Sequence, residues 1–187
     1  LVTAPAVLRH ARAAEFNWRI GHTAPTTFPL HARLVEAAEL VGRISDGRME
    51  IQVVPDGQLG SQIGLLNQVR TGSLEMSSLT GQILTTAQGL AALPMTGFAF
   101  PGYPQVWSAM DGELGQTIRQ EIQLRTGIVL MEKIWDFGFR IVTTGDKPIK
   151  VPADLKGLRL RTPVEPEFVS LFQALQANPI AMSLNEV

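Results

Sequence analysis

Two arginines stand where an arginine is expensive. Arg140 lies in "WDFGFRIV" between Phe139 and Ile141, and Arg161 closes the run "LRLR" just before Thr162 and Pro163. A guanidinium in a strand-like apolar segment is costly to desolvate unless something negative meets it. Its planar fork matches a carboxylate or phosphate with two parallel hydrogen bonds, where lysine offers only a point charge. Within "LRLR", strand alternation turns Leu158 and Leu160 to one face and Arg159 and Arg161 to the other. Arg161 then occupies the carboxyl end of its strand, the end at which open α/β sheets bind ligands. Two sources of the anion are open. The chain itself offers Glu165 or Glu167 to Arg161 and Asp136 to Arg140; otherwise a ligand supplies the charge. Spacing alone slightly favours the internal pair for Arg161 and leaves Arg140 undecided.

Other chemistries find little support. The three histidines, His10, His22 and His31, have no metal-ligand spacing, and cysteine is absent, so thiol nucleophiles, disulfides and thiolate metal sites are excluded. A lone histidine is more often a hydrogen-bonded structural residue than a ligand. None of the phosphate-loop, dinucleotide or serine-elbow motifs occurs, and no residue pattern points to catalysis. The net charge near −1 offers no basic block for nucleic acid. No apolar run approaches the ~20 residues of a membrane span. At 187 residues and 45% apolar composition, the chain has the material for a sizeable core in one domain or two small ones. The first residues, "LVTAPAVLRHARAAEF", are small and apolar, and Ala11-Arg12-Ala13 fits the small-x-small pattern that precedes signal-peptidase cleavage. Residues 1–14 are therefore expected to be the remnant of an export signal, with a frayed helical start as the plainer reading.

The elements that must position the arginines are read from period. "FNWRIGH" alternates as a first strand. Apolar residues at Leu34, Ala37, Ala38, Val41 and Ile44 follow a helical repeat, and Met49, Ile51 and Val53 alternate as a second strand. Ser61 is placed to cap a helix that carries Ile63, Leu66 and Val69 and stops at Gly72. A third strand in "SLEMSSLT" and a short helix in "GQILTTAQGLAAL" follow. Pro104 to Arg125 reads as largely helical. Beyond it the pattern predicts strands in "GIVLMEKIW" and "FRIVTT", a one-turn helix at "PADLKG", a strand at "LRLRTP", a helix at "EPEFVSLFQAL" and a strand starting in "ANPIAMS". Strand and helix alternate, the pattern of an open α/β sheet. The last strand has no return connection, so the 187 residues are expected to be a fragment of a longer protein.

Several of these segments, in this order, form a familiar set: "IGHTAP", "VPDGQLGS", "VRTGSLEMS", "WDFGFR", "KPIKVPADLKGLRLRTP" and "ALQANPIAMSLNEV". From Phe16 to Val187 the chain resembles the periplasmic solute receptors of tripartite ATP-independent (TRAP) transporters, of the dicarboxylate-receptor DctP type. The resemblance implies an α/β fold with the two-lobe architecture of periplasmic binding proteins, open sheets, and a C-terminal part missing from this chain. Lobe I is expected over 15–137 and the start of lobe II over 138–187. It further implies a small organic acid as ligand, the membrane permease subunits of the transporter as partners, a periplasmic location and no cofactor. Arg161 matches the position that forms a two-pronged salt bridge to the ligand carboxylate, and Arg140 a common second contact. Positions matching His22 and Thr80 often line the pocket, as do the neighbourhoods of Gln62, Trp135 and Phe137. Phe137 departs from the family, which more often has asparagine there; with Trp135 it tilts the expected ligand towards a less polar or aromatic acid, with C4-dicarboxylates, oxo or hydroxy acids and sugar acids all open. With the resemblance in view, Arg161 is expected to meet a ligand carboxylate. The rival readings are an enzyme on a similar two-lobe scaffold and the ligand-sensing domain of a signalling protein.

Overall fold

The computed structural model describes residues 13–136 and 138–182. Phe137, most of the expected export-signal remnant and the "NEV" segment therefore lie outside the described residues. The chain divides into two compact units, one up to Leu79 and one from Thr80.

The first unit is built on strand β1 (Phe16–Gly21), helix α1 (Pro29–Ile44), strand β2 (Met49–Val54), helix α2 (Gln62–Thr71) and the short strand β3 (Met76–Ser77). The strands run parallel in the order β2-β1-β3. Phe16 faces Met49 and Gly21 faces Val54 on one side of β1, while Ile20 faces Met76 on the other. Pro29 opens α1 at a position where its missing N–H costs nothing. Ser61 caps α2 as its spacing predicted, accepting from the Gly64 N–H at 3.3 Å. Only two residues of the third strand pair with β1. The next backbone N–H along, that of Arg19, donates instead to the Glu75 carboxylate at 2.9 Å, and the Arg19 guanidinium returns to the Ser73 carbonyl at 2.9 Å. The bond from the Arg19 N–H, then one from the Glu75 backbone N–H, together with the Arg19 charge, hold the Glu75 carboxyl below its ordinary pKa.

The core of this unit gathers Ile20, Leu34, Leu65, Leu66 and Leu74. Gly21 lets α2 approach β1 closely: a Cβ there would come within 2.8 Å of a Leu65 methyl. Leu65 is 0% exposed, a burial that stabilises by about 1.5–3 kcal/mol.

The second unit begins with the single-turn helix α3 (Gly81–Leu84) and a 3₁₀ segment (Gly89–Met95), then helices α4 (Tyr103–Met110) and α5 (Glu113–Thr126). The helix expected over "GQILTTAQGLAAL" is thus split in two. Pro104–Arg125 is largely helical as expected, with a break between α4 and α5 at Asp111 and Gly112. Gly115 explains how the corner stays tight, since a Cβ at that position would run into the Met110 carbonyl. Arg119 donates to the same carbonyl at 3.1 Å. After α5 come a 3₁₀ turn (Pro152–Leu155), strand β4 (Arg159–Thr162), helix α6 (Pro166–Ala174) and strand β5 (Asn178–Ala181). β4 and β5 pair in parallel, Arg161 facing Ile180 and Thr162 facing Ala181. The one-turn helix expected at "PADLKG" is the 3₁₀ turn, where Asp154 accepts from the Lys150 and Val151 N–H groups at 2.9 and 3.1 Å.

Two sequence expectations fail in this unit. "GIVLMEKIW" and "FRIVTT" are irregular, not strands. Their apolar alternation is real, but among the described residues no strand runs beside either segment to take its backbone hydrogen bonds. Val129 and Ile141 consequently stay 71% and 80% exposed. Buried Met110, Ile118, Ile122, Ile128, Leu155, Phe168 and Ala177 form this unit's apolar interior. Among the described residues no helix is long and apolar enough to cross a membrane.

Candidate functional site

In the first unit, the chain steps from β1 to β2 on one side and then to β3 on the other. That reversal beside β1 is a topological switch point, and the crevice outside the strands' carboxyl ends is where such sheets bind ligands. His22 follows β1 at this end. Its N–H donates to the Val54 carbonyl at 3.0 Å and its carbonyl accepts from the Gly57 N–H at 3.0 Å. The ring is 1% exposed, with Nε2 3.1 Å from Nδ1 of His31 and Nδ1 buried without a partner. In this contact one ring nitrogen donates and the other accepts, the roles being set by the tautomers. Burial first, then the proximity of His31, lowers the His22 pKa below its ordinary value, with Asp56 opposing. His31 sits in the first turn of α1, and nothing in a nine-residue separation from strand to helix could have paired it with His22 beforehand. Gln62 is the first residue of α2.

The second unit carries both arginines. Arg161 is half-buried, and its Nε donates to the Met182 carbonyl at 2.8 Å. Parallel pairing fixes that carbonyl, because the Met182 N–H donates to the Thr162 carbonyl at 3.0 Å. Arg140 is exposed by surface area, yet its guanidinium lies 5.4 Å from the centroid of the buried Phe168 ring, a cation–π contact. That desolvation lowers the Arg140 pKa. Arg161 adds to the effect as a like charge, and Glu165 opposes it.

Neither internal pairing weighed from the sequence forms. Among the described residues no carboxylate is ion-paired to Arg140 or Arg161. Asp136 accepts from the Gly138 N–H at 2.8 Å and from the Tyr103 hydroxyl, whose pKa it raises. Glu165 precedes α6 without capping it, and its Oε2 is buried without a hydrogen-bond partner. Thr162, 0% exposed, also keeps an unpartnered hydroxyl oxygen.

The sequence-proposed residues are thus only partly brought together. Arg140 and Arg161 share one electrostatic neighbourhood, whereas Trp135 is 51% exposed in the irregular segment and Thr80 stands at the N-cap position of α3. Phe168 and Met182 were not foreseen. The three-residue spacing from Glu165, at the N-cap position of α6, to Phe168 in its first turn was the available signal for the first, while a backbone carbonyl leaves no signal in side-chain identity.

Comparison with known proteins decides the family. The model for bacterial extracellular solute-binding proteins, family 7 (DctP), matches residues 20–187. The chain belongs to that family. A solute-binding protein of Roseobacter denitrificans is 32% identical to this family 7 chain over 177 residues, covering 95% of the chain and 54% of that relative. A C4-dicarboxylate-binding protein of Bacillus subtilis is 28% identical over 174 residues, covering 91% and 48%. A TRAP periplasmic solute-binding protein from Roseobacter denitrificans, solved with bound β-D-glucuronate, superposes with a TM-score of 0.81 at 29% identity, covering 89% of this chain and 54% of that one. The family 7 chain therefore spans about half the length of the relatives it matches. These relatives are solute receptors, not enzymes, and the α/β fold with open parallel sheets is theirs.

Proposed function

We propose that the whole protein is a periplasmic receptor that captures a small organic acid for the membrane subunits of a TRAP transporter. In this reading lobe I ends near Phe137 and lobe II begins near Gly138. The lobes close around the acid, water leaves, and a two-pronged bond from Arg161 to the carboxylate strengthens as the local dielectric falls. Arg140 makes the second contact, and His22, Thr80, Gln62, Trp135 and Phe137 line the pocket.

The observation that carries the reading is that Arg161 is held in place yet not neutralised. Its Nε is tethered to the Met182 carbonyl, a neutral acceptor, and the terminal nitrogens have no acid partner among the described residues. The like charge of Arg140 close by makes an outside anion the natural complement. Removing Arg161 leaves a buried ligand carboxylate without its main partner, which costs about 3–5 kcal/mol and, at ~1.4 kcal/mol per decade, about 100-fold or more in affinity. Titration of Arg161→Ala in the chain extended to the length of its relatives, against a panel of carboxylates, tests this. A loss below tenfold for the best acid overturns the role of Arg161. Recovery of the bound acid unchanged separates a receptor from an enzyme.

A further inference from the structure

Glu165 is an acid near Arg140 that ion-pairs with neither site arginine among the described residues. It stands between β4 and α6, four residues after Arg161, with an extended backbone at φ −71° and ψ 133°. Its carbonyl accepts from the Phe168 N–H at 3.2 Å, which puts its side chain one helical turn from the ring that carries the Arg140 guanidinium. One carboxylate oxygen is buried and without a hydrogen-bond partner. Neither arginine lies within ion-pair distance of it among the described residues. Its charge still reaches Arg140, where it opposes the effects of desolvation and of Arg161. Glu165 therefore stands in the neighbourhood of Arg140 without occupying the arginines' donors.

We infer that Glu165 is a specificity-determining residue that holds the arginine site to acids with a single carboxylate. The inference rests on the receptor reading above and names its substrate class. Two guanidiniums and one carboxylate leave one uncompensated positive charge, which one ligand carboxylate neutralises. A second carboxylate on the ligand brings a surplus negative charge into a closing, water-poor site that already holds the Glu165 carboxylate. Like charges there repel at low dielectric, and rejecting a competitor by an unpaired or repelled charge is an established route to specificity. The family itself does not decide the matter, since its members include a glucuronate-bound receptor and a C4-dicarboxylate-binding protein.

The test is a calorimetric titration of the chain extended to the length of its relatives, using pairs that differ in one carboxylate: succinamate with succinate, and glucuronate with glucarate. In at least one pair the monoacid is expected to bind tenfold or more tightly than the diacid. Glu165→Gln, which keeps shape and removes charge, is expected to shrink that ratio at least tenfold by strengthening the diacid. If the native protein binds both members of each pair equally, or if Glu165→Gln binds acids with the native ratio, the inference is wrong while the receptor reading survives. If no acid of either kind binds, the receptor reading fails and takes this inference with it. The ratio in the native protein is a sufficient test should Glu165→Gln not fold.

Discussion

The tether on Arg161 makes a sharper claim than the need for a positive charge, and Arg161→Lys isolates it. Lysine keeps the charge but concentrates three donors on one nitrogen, whereas the guanidinium has five N–H donors in a rigid plane. The Met182 carbonyl takes the Nε donor at 2.8 Å, which leaves the two terminal nitrogens to meet both oxygens of a carboxylate end-on. The tether is itself anchored, because Met182 is held to Thr162 by the last bond of the β4–β5 ladder. Lysine loses the tether and one of the two ligand bonds. One charge-assisted hydrogen bond contributes about 1.5–3 kcal/mol, so affinity should fall about 10- to 140-fold at ~1.4 kcal/mol per decade. The assay is calorimetric titration of the extended chain with its best monocarboxylate, with Arg161→Ala alongside and a melting curve for each variant. Arg161→Lys is expected between the native protein and Arg161→Ala. If it binds within about threefold of the native protein at an unchanged melting temperature, a point charge suffices and the argument from the fork and its tether is wrong.

Further outcomes follow from the packing and the histidine pair. Leu65→Ala empties a fully buried position against Gly21 and should lower stability by about 2–5 kcal/mol, read as a fall in the urea midpoint with little change in slope. Gly115→Ala should destabilise, by about 1–3 kcal/mol, even though alanine usually favours a helix over glycine, because its methyl group meets the Met110 carbonyl; a raised melting temperature would show that this corner yields freely. For His22, burial and His31 lower the folded-state pKa, so the unfolded chain takes up its proton first as pH falls. Stability should be flat above the ordinary histidine value of about 6.5 and decline below it. Melting curves from pH 5 to 8 should show that decline, and His22→Gln should weaken it; stability that rises on acidification contradicts the assigned direction.

Much of the fold was legible because its elements are local statements. The repeat from Leu34 to Ile44, the alternation of Met49, Ile51 and Val53, and the cap at Ser61 each depend on neighbours a few residues away. The failures involve relations that no short window holds. "GIVLMEKIW" has a strand's composition, but a strand needs a second backbone beside it, and among the described residues none is there. The break at Gly112 depends on a close backbone approach at Gly115 that a helical period cannot register. At the site the same division holds. Strand alternation and position marked out Arg161, but whether Glu165, four residues on, would neutralise it was a question of geometry within a few ångströms.

The way that competition resolves bears on function. An acid partner orients an arginine and cancels its charge together. The Met182 carbonyl, a neutral acceptor 21 residues downstream, orients the guanidinium and leaves the charge intact. Arg140 is treated similarly, laid over the face of Phe168 and not against a carboxylate. Among the described residues neither arginine is ion-paired to an internal acid, so in the proposed receptor a ligand carboxylate finds their donors already aimed. In the proposed receptor these two charges, with Glu165 near Arg140 but off its donors, are complemented by an anion that comes and goes.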